Sequence, residues 1–143
     1  MFGDETYSQF LHHNHHYRQI TAESREAVPA ACINSSEFHS YFFEVVERTV
    51  ADSKIDGVFL DEPHYYPLLA ESEFTCVCEE CQVEYERLYS EPMSFDYSKR
   101  IEKFREESML RFLNDTCRAI KSASTSTEVA VCVLPIEGPT FVP

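Results

Sequence analysis

Three cysteines fall within six residues, in the run Cys76-Val77-Cys78-Glu79-Glu80-Cys81. This spacing puts three thiols on one tight turn at the start of a helix, whose N-terminus favours the thiolate form. Thiolates grouped in this way are metal ligands, and Cys-x-Cys-x-x-Cys is more specific than a lone Cys-x-x-Cys. The competing reading is three small hydrophobes or one incidental disulfide. A bridge across a three-residue gap is awkward, and Met1-Phe2-Gly3-Asp4-Glu5 does not begin a secretory leader. Structural zinc and a cytoplasmic location are therefore the expectation. A closed zinc site takes four ligands, so one more must come from elsewhere. Cys32, His64, Cys117 and Cys132 are the candidates. Cys117 and Cys132 fall on apolar helix and strand positions and read as core residues. Cys32 precedes the first clear helix, on a loop that a parallel α/β layer would bring to the same edge as the loop after Leu60. It is the first choice, and His64 the second. An iron–sulfur cluster also takes four thiolates, but nothing else in the chain suggests electron transfer.

A second group of chemical side chains follows the apolar run Val58-Phe59-Leu60, namely Asp61, Glu62, His64, Tyr65 and Tyr66. In α/β sheets and barrels ligands bind at the carboxyl ends of strands, which is where Asp61 and Glu62 fall. Adjacent strand residues point to opposite faces, so one carboxylate can enter a site while the other supports its wall. Solvated caps are the bland alternative. His64 and Tyr65 can line a sugar site, because aromatic faces stack on sugar rings, although tyrosine pairs in loops are also ordinary packing. The cluster His12-His13-Asn14-His15-His16 can hold a second metal, and an exposed loop is the stronger reading.

These residues need elements to position them. Phe38, Tyr41, Phe42, Val45, Val46, Thr49 and Val50 recur at helical spacing after the capping candidates Asn34, Ser35 and Ser36, predicting a helix to about Asp52. Lys54-Ile55-Asp56-Gly57 breaks it. Val58-Phe59-Leu60 is continuously apolar, as suits a strand buried on both faces, and Pro63 stops it. A long loop over 64–81 leads to a helix from Glu79 to Ser90, with Val83, Leu88 and Tyr89 inward. A longer helix from about Tyr97 to Ser122 uses Ile101, Phe104, Met109, Phe112, Leu113, Cys117 and Ile120. Val129 to Leu134 forms a second apolar strand. Residues 1–31 are polar and read as loop or short helix. Two buried strands separated by helices make a βαβ unit and a parallel sheet.

Composition narrows the partners. With 25 acidic and 12 basic side chains the net charge is -13, which opposes binding to nucleic acid or to anionic membranes. No stretch reaches the length of a membrane span. A neutral carbohydrate or a metal ion remains compatible.

At this point the chain resembles the catalytic barrel of glycoside hydrolase family 42 β-galactosidases and related barrel glycosidases. Cys32-Ile33-Asn34-Ser35 resembles that family's Cys-Pro-Asn-Ser segment. Phe59-Leu60-Asp61-Glu62-Pro63 resembles its strand-four ending, with Asp61 where the clan has Asn. Cys76, Cys78 and Cys81, followed by Tyr85-Glu86-Arg87-Leu88-Tyr89, resemble its zinc loop and the helix after it. The resemblance implies an α/β fold that is a segment of a (β/α)8 TIM-type barrel, with parallel strands and a zinc-tied loop. It implies Glu62 as general acid/base with Asp61 beside it, a carbohydrate substrate, and Cys32, Cys76, Cys78 and Cys81 as ligands of a structural zinc. A complete barrel takes about 250 residues. One partial barrel domain over 1–143 is therefore expected, with 32–135 as its βα units, lacking the strand that carries the nucleophile. Its open edges would favour self-association. The rival reading is a non-catalytic, zinc-stabilised α/β module that binds carbohydrate or protein.

Overall fold

Ser35 starts the first long helix, α2 (Ser36–Ser53), by accepting the Phe38 amide at 3.2 Å. The cap satisfies one of the amides that a helix start leaves open. Lys54 ends α2 in the left-handed conformation, with φ of 50°. Ser98 caps α4 (Lys99–Ala123) in the same way, accepting from the Ile101 amide. The two helices pack through aromatic rings. Phe112 of α4 lies 5.3 Å from Phe42, 6.0 Å from Phe43 and 6.1 Å from Phe38, ring centre to ring centre. The inner stripe of α2 is turned from its expected position. Tyr41 and Val45 are exposed, whereas Phe43, absent from the expected stripe, packs on Phe112.

The computed structural model describes residues 9–61, 63–66 and 73–132. Besides α2 and α4 it contains α1 (Gln9–His13), β1 (Arg18–Ile20), β2 (Ala27–Ala31), β3 (Gly57–Leu60), α3 (Glu79–Tyr89) and β4 (Glu128–Val131). A 3-10 turn at His15–Tyr17 leads into β1. β1 and β2 pair antiparallel, and β3 and β4 pair parallel from Gly57↔Glu128 to Leu60↔Val131. The parallel pairing of the two apolar runs is thus present.

The barrel expectation is overturned. The described strands form two separate two-stranded sheets, one of them antiparallel, with no barrel-like succession of parallel strands. Residues 1–31 differ from expectation as well: polar composition suggested loop or short helix, but β1 and β2 in this segment are strands. The polar side chains of β1 are buried and hydrogen-bonded. Arg18 is 8% exposed and donates to the Leu11 carbonyl, and Gln19 is 2% exposed. Buried polar groups are tolerated where hydrogen bonds replace water, and composition hides such burial. The two apolar strands also fail to be covered on both faces. Phe59 is 63% exposed and Val131 37%. Glu62 and the expected strand end at Val133 and Leu134 lie outside the described residues.

β1 has neighbours on both sides. The Ala22 amide donates to the Phe74 carbonyl, the Val77 amide donates to the Ile20 carbonyl, and Thr21 bridges Thr75. The segment 74–77 therefore runs antiparallel along the edge of β1 opposite β2. Pro29 falls on β2, the outer strand, where a missing amide donor is tolerated. The Gln19 side chain pins this platform together. Its Nε2 donates to the Ala31 carbonyl at 3.0 Å, and its Oε1 accepts from Thr75 Oγ1 at 2.6 Å and the Tyr66 amide at 3.1 Å.

Replacing Gln19 by Ala leaves three polar groups in and around the core without this partner. Urea unfolding of the Gln19→Ala protein should show a loss of about 2–3 kcal/mol. A loss below about 0.5 kcal/mol would mean that the three groups find other partners.

Candidate metal centre

Two junctions of the platform carry the thiols. Cys32 follows β2, held by a 2.7 Å hydrogen bond from its amide to the Tyr17 carbonyl. Cys76 sits in the segment beside β1. Cys78 is the N-cap residue of α3, and Cys81 lies in that helix's first turn. The four sulfurs all lie within 4.8 Å of one another, and all four residues are buried. Cys32 is 3.5 Å from Cys81 and 3.3 Å from Cys78, sulfur to sulfur. A zinc tetrathiolate with bonds of about 2.3 Å has an edge of about 3.8 Å, so little movement separates this group from a tetrahedron. All six cysteines are free thiols. The group can hold a metal ion.

The surrounding amides are arranged for charged sulfur. The Ile20 amide points at Cys76 Sγ at 3.4 Å, and the Asn34 amide at Cys32 Sγ at 3.4 Å. Asn34 Nδ2 donates to Cys81 Sγ at 3.3 Å. The other end of that side chain is fixed, because Asn34 Oδ1 accepts from Arg111 Nη2 at 3.2 Å and Arg111 is ion-paired with Glu84. Outer hydrogen bonds of this kind orient ligands and moderate their charge.

Without a cation the thiols divide unequally. At Cys76 burial pushes the pKa up, but hydrogen bonds from Cys32, Cys78 and Cys81 reverse this and hold it well below the usual thiol value. A hydrogen bond from Cys32 lowers Cys78 too. Cys32 is pushed well up, first by its hydrogen bond to Cys76, and Cys81 likewise by its bond to Cys32. Four thiolates this close repel one another strongly, so the group as a whole keeps protons until a cation replaces them.

Cys32 completes the group, but not by the expected geometry. It leaves an antiparallel strand beside β1 rather than a loop at the edge of a parallel layer. His64 is exposed and stands outside the group, and Cys117 and Cys132 are half-buried and also outside it. Asp61 is exposed at the end of β3, and Glu62 lies outside the described residues. His12, His13, His15 and His16 are exposed and form no metal-holding group among the described residues. His64 and Tyr65 line one cavity of about 260 Å³, together with residues of α4.

Sequence reasoning missed two residues here. Asn34 was weighed only as a helix cap, although its place two residues after a cysteine on a turn suits a donor to sulfur. Arg105 was passed over because it is charged, yet it follows Ile101 by four residues and leads to Ser108 and Phe112 on the buried stripe of α4. No family model, curated protein or solved structure matches the chain.

Metal uptake near neutral pH should expel protons from the four-cysteine group, so affinity should rise with pH. Calorimetry in buffers of different ionisation enthalpy measures this, and uptake without proton release would contradict the assignment. Asn34→Ala should weaken the metal about tenfold or more in chelator competition. An unchanged affinity would remove Asn34 from the site.

Proposed function

We propose that the chain is a zinc-clamped α/β module in which the metal serves structure, not catalysis. The closeness and burial of the four sulfurs carry this reading. A set of four thiolates suits zinc and leaves no ligand position open for water or substrate. Bound there, zinc would supply four ties and no reactive oxygen. Those ties would join the end of β2 to the segment beside β1 and to the adjoining start of α3, whose cysteines lie 46 and 49 residues further along the chain. Structural zinc in small domains contributes about 10–16 kcal/mol, as much as the whole stability of a typical domain. The module would then present the loop after β3 to a carbohydrate or protein partner.

Purified chain should carry one zinc per molecule. Chelation should abolish its tyrosine near-ultraviolet dichroism, and zinc should restore it. A chain that keeps this spectrum after complete metal removal would not need the clamp. A brown chromophore with iron in place of zinc would assign the thiolates to an iron–sulfur cluster.

Glycoside hydrolysis is the second reading. It draws on the resemblance of the 59–63 segment and on the parallel pairing of β3 with β4, which puts both carboxyl ends at one edge. Glu62 would be the general acid/base, Asp61 its neighbour, and His64 and Tyr65 the sugar-contacting residues. Hydrolysis needs a second carboxylate opposite Glu62, as nucleophile or as base. Turnover of aryl glycosides that falls at least about a hundredfold in Glu62→Gln would support it. Turnover equal in the two proteins would remove Glu62 from the chemistry.

A further inference from the structure

The α4 stripe contains a buried charge outside the four-sulfur group. Arg105 is 6% exposed. None of the ion pairs among the described residues involves it. Its guanidinium lies 4.5 Å from the Tyr65 ring centre and 6.0 Å from that of Tyr97. Aromatic faces offset part of the cost of burying a cation, but they accept no strong hydrogen bond. Arg105 Nε and Tyr65 Oη are shut off from solvent without a well-formed hydrogen bond among the described residues, although Arg105 has a weaker polar contact with Tyr97 and Tyr65 one with Ser108. Burial is the main influence on both groups. It pushes the Arg105 pKa down and that of Tyr65 well up.

Both residues line the cavity of about 260 Å³. Its other walls are mostly apolar, from Tyr97, Met109, Leu110 and Leu113. A half-open, mostly apolar cavity with one buried guanidinium that makes no ion pair among the described residues is the general form of a small-molecule site: the walls hold the body and the single charge fixes its orientation. The volume suits one ring or a short aliphatic body. Glu102 and Glu106 stand at the rim, where both are exposed. Water screens their charges, while that of Arg105 acts from inside the wall.

We infer that this cavity binds a small organic acid, an aromatic or short aliphatic carboxylate whose charged end pairs with Arg105 and whose body lies between Tyr65, Tyr97 and Met109. The inference does not rest on the zinc reading, because no cysteine lines the cavity. Zinc content and acid binding are measured separately and can fail separately.

The probes are benzoate, its neutral counterpart benzyl alcohol, benzylammonium, and methyl β-galactoside as a neutral sugar. Each is titrated into the full chain as purified, its metal content measured beforehand, while backbone amide shifts are followed by NMR. Benzoate should move the amides of His64, Tyr65 and Met109 and bind about tenfold or more tightly than benzyl alcohol. Arg105→Met should abolish that preference while keeping metal content and spectral dispersion. If Arg105→Met does not fold, Leu110→Trp serves instead. Leu110 is 60% exposed at the cavity mouth, and the larger ring should block benzoate. Any of four results would overturn the inference. These are absence of benzoate binding at millimolar concentration, equal or tighter binding of benzyl alcohol or methyl β-galactoside, preference for benzylammonium at Glu102 and Glu106, and undiminished benzoate binding in the folded variant.

Discussion

Four thiols within 4.8 Å of one another, inside an apolar core, set the constraint on which the described fold depends. Two thiolates at 4 Å repel by about 4 kcal/mol even at an effective dielectric near 20, and four of them have six such pairs. The core around them includes Tyr65, Tyr85, Phe104 and Phe112, which cannot screen the charge. The group must therefore keep protons or take a cation. The amides of Ile20 and Asn34 and the Asn34 side chain already point at sulfur, which favours the charged form.

The same constraint explains why short and polar strands can hold their place. β1 and β2 are three and five residues long, too short to be stable as an isolated pair. β1 gains a second edge from the segment 74–77, and that segment carries Cys76. Gln19 closes the arrangement from within by joining Ala31, Thr75 and Tyr66. On the helical side, Arg111 of α4 reaches Asn34, and Asn34 reaches Cys81 of α3. Both helices and the platform thus converge on one group of sulfurs. Metal affinity and fold stability are in that case linked quantities.

The helices were legible because their signals are local. α2, α3 and α4 lie within two residues of the bounds read from periodicity and caps. The faces were less legible. Val83 was expected to point inward and is 62% exposed, while Cys81 and Tyr85 turn in toward the sulfurs. The cysteine turn displaced the stripe that hydrophobicity alone would choose. β1 was illegible because Arg18 and Gln19 are buried through hydrogen bonds to residues 7 and 12 positions away, among others, and no local pattern records those partners. The cysteine group was legible as chemistry from Cys76, Cys78 and Cys81. Cys32 was chosen from the loop geometry of a parallel layer and from the resemblance, whereas among the described residues it follows β2 of the antiparallel pair. The barrel was implied by the resemblance of short segments within 32–92, and these are compatible with a single parallel pair, which is all that β3 and β4 form among the described residues.

The central claim is that one metal closes all four sulfurs. X-ray absorption at the zinc edge of the loaded chain tests it most directly. The account predicts a first shell of four sulfurs at about 2.3 Å with no nitrogen or oxygen. A shell with three or fewer sulfurs, completed by imidazole or water, would contradict it.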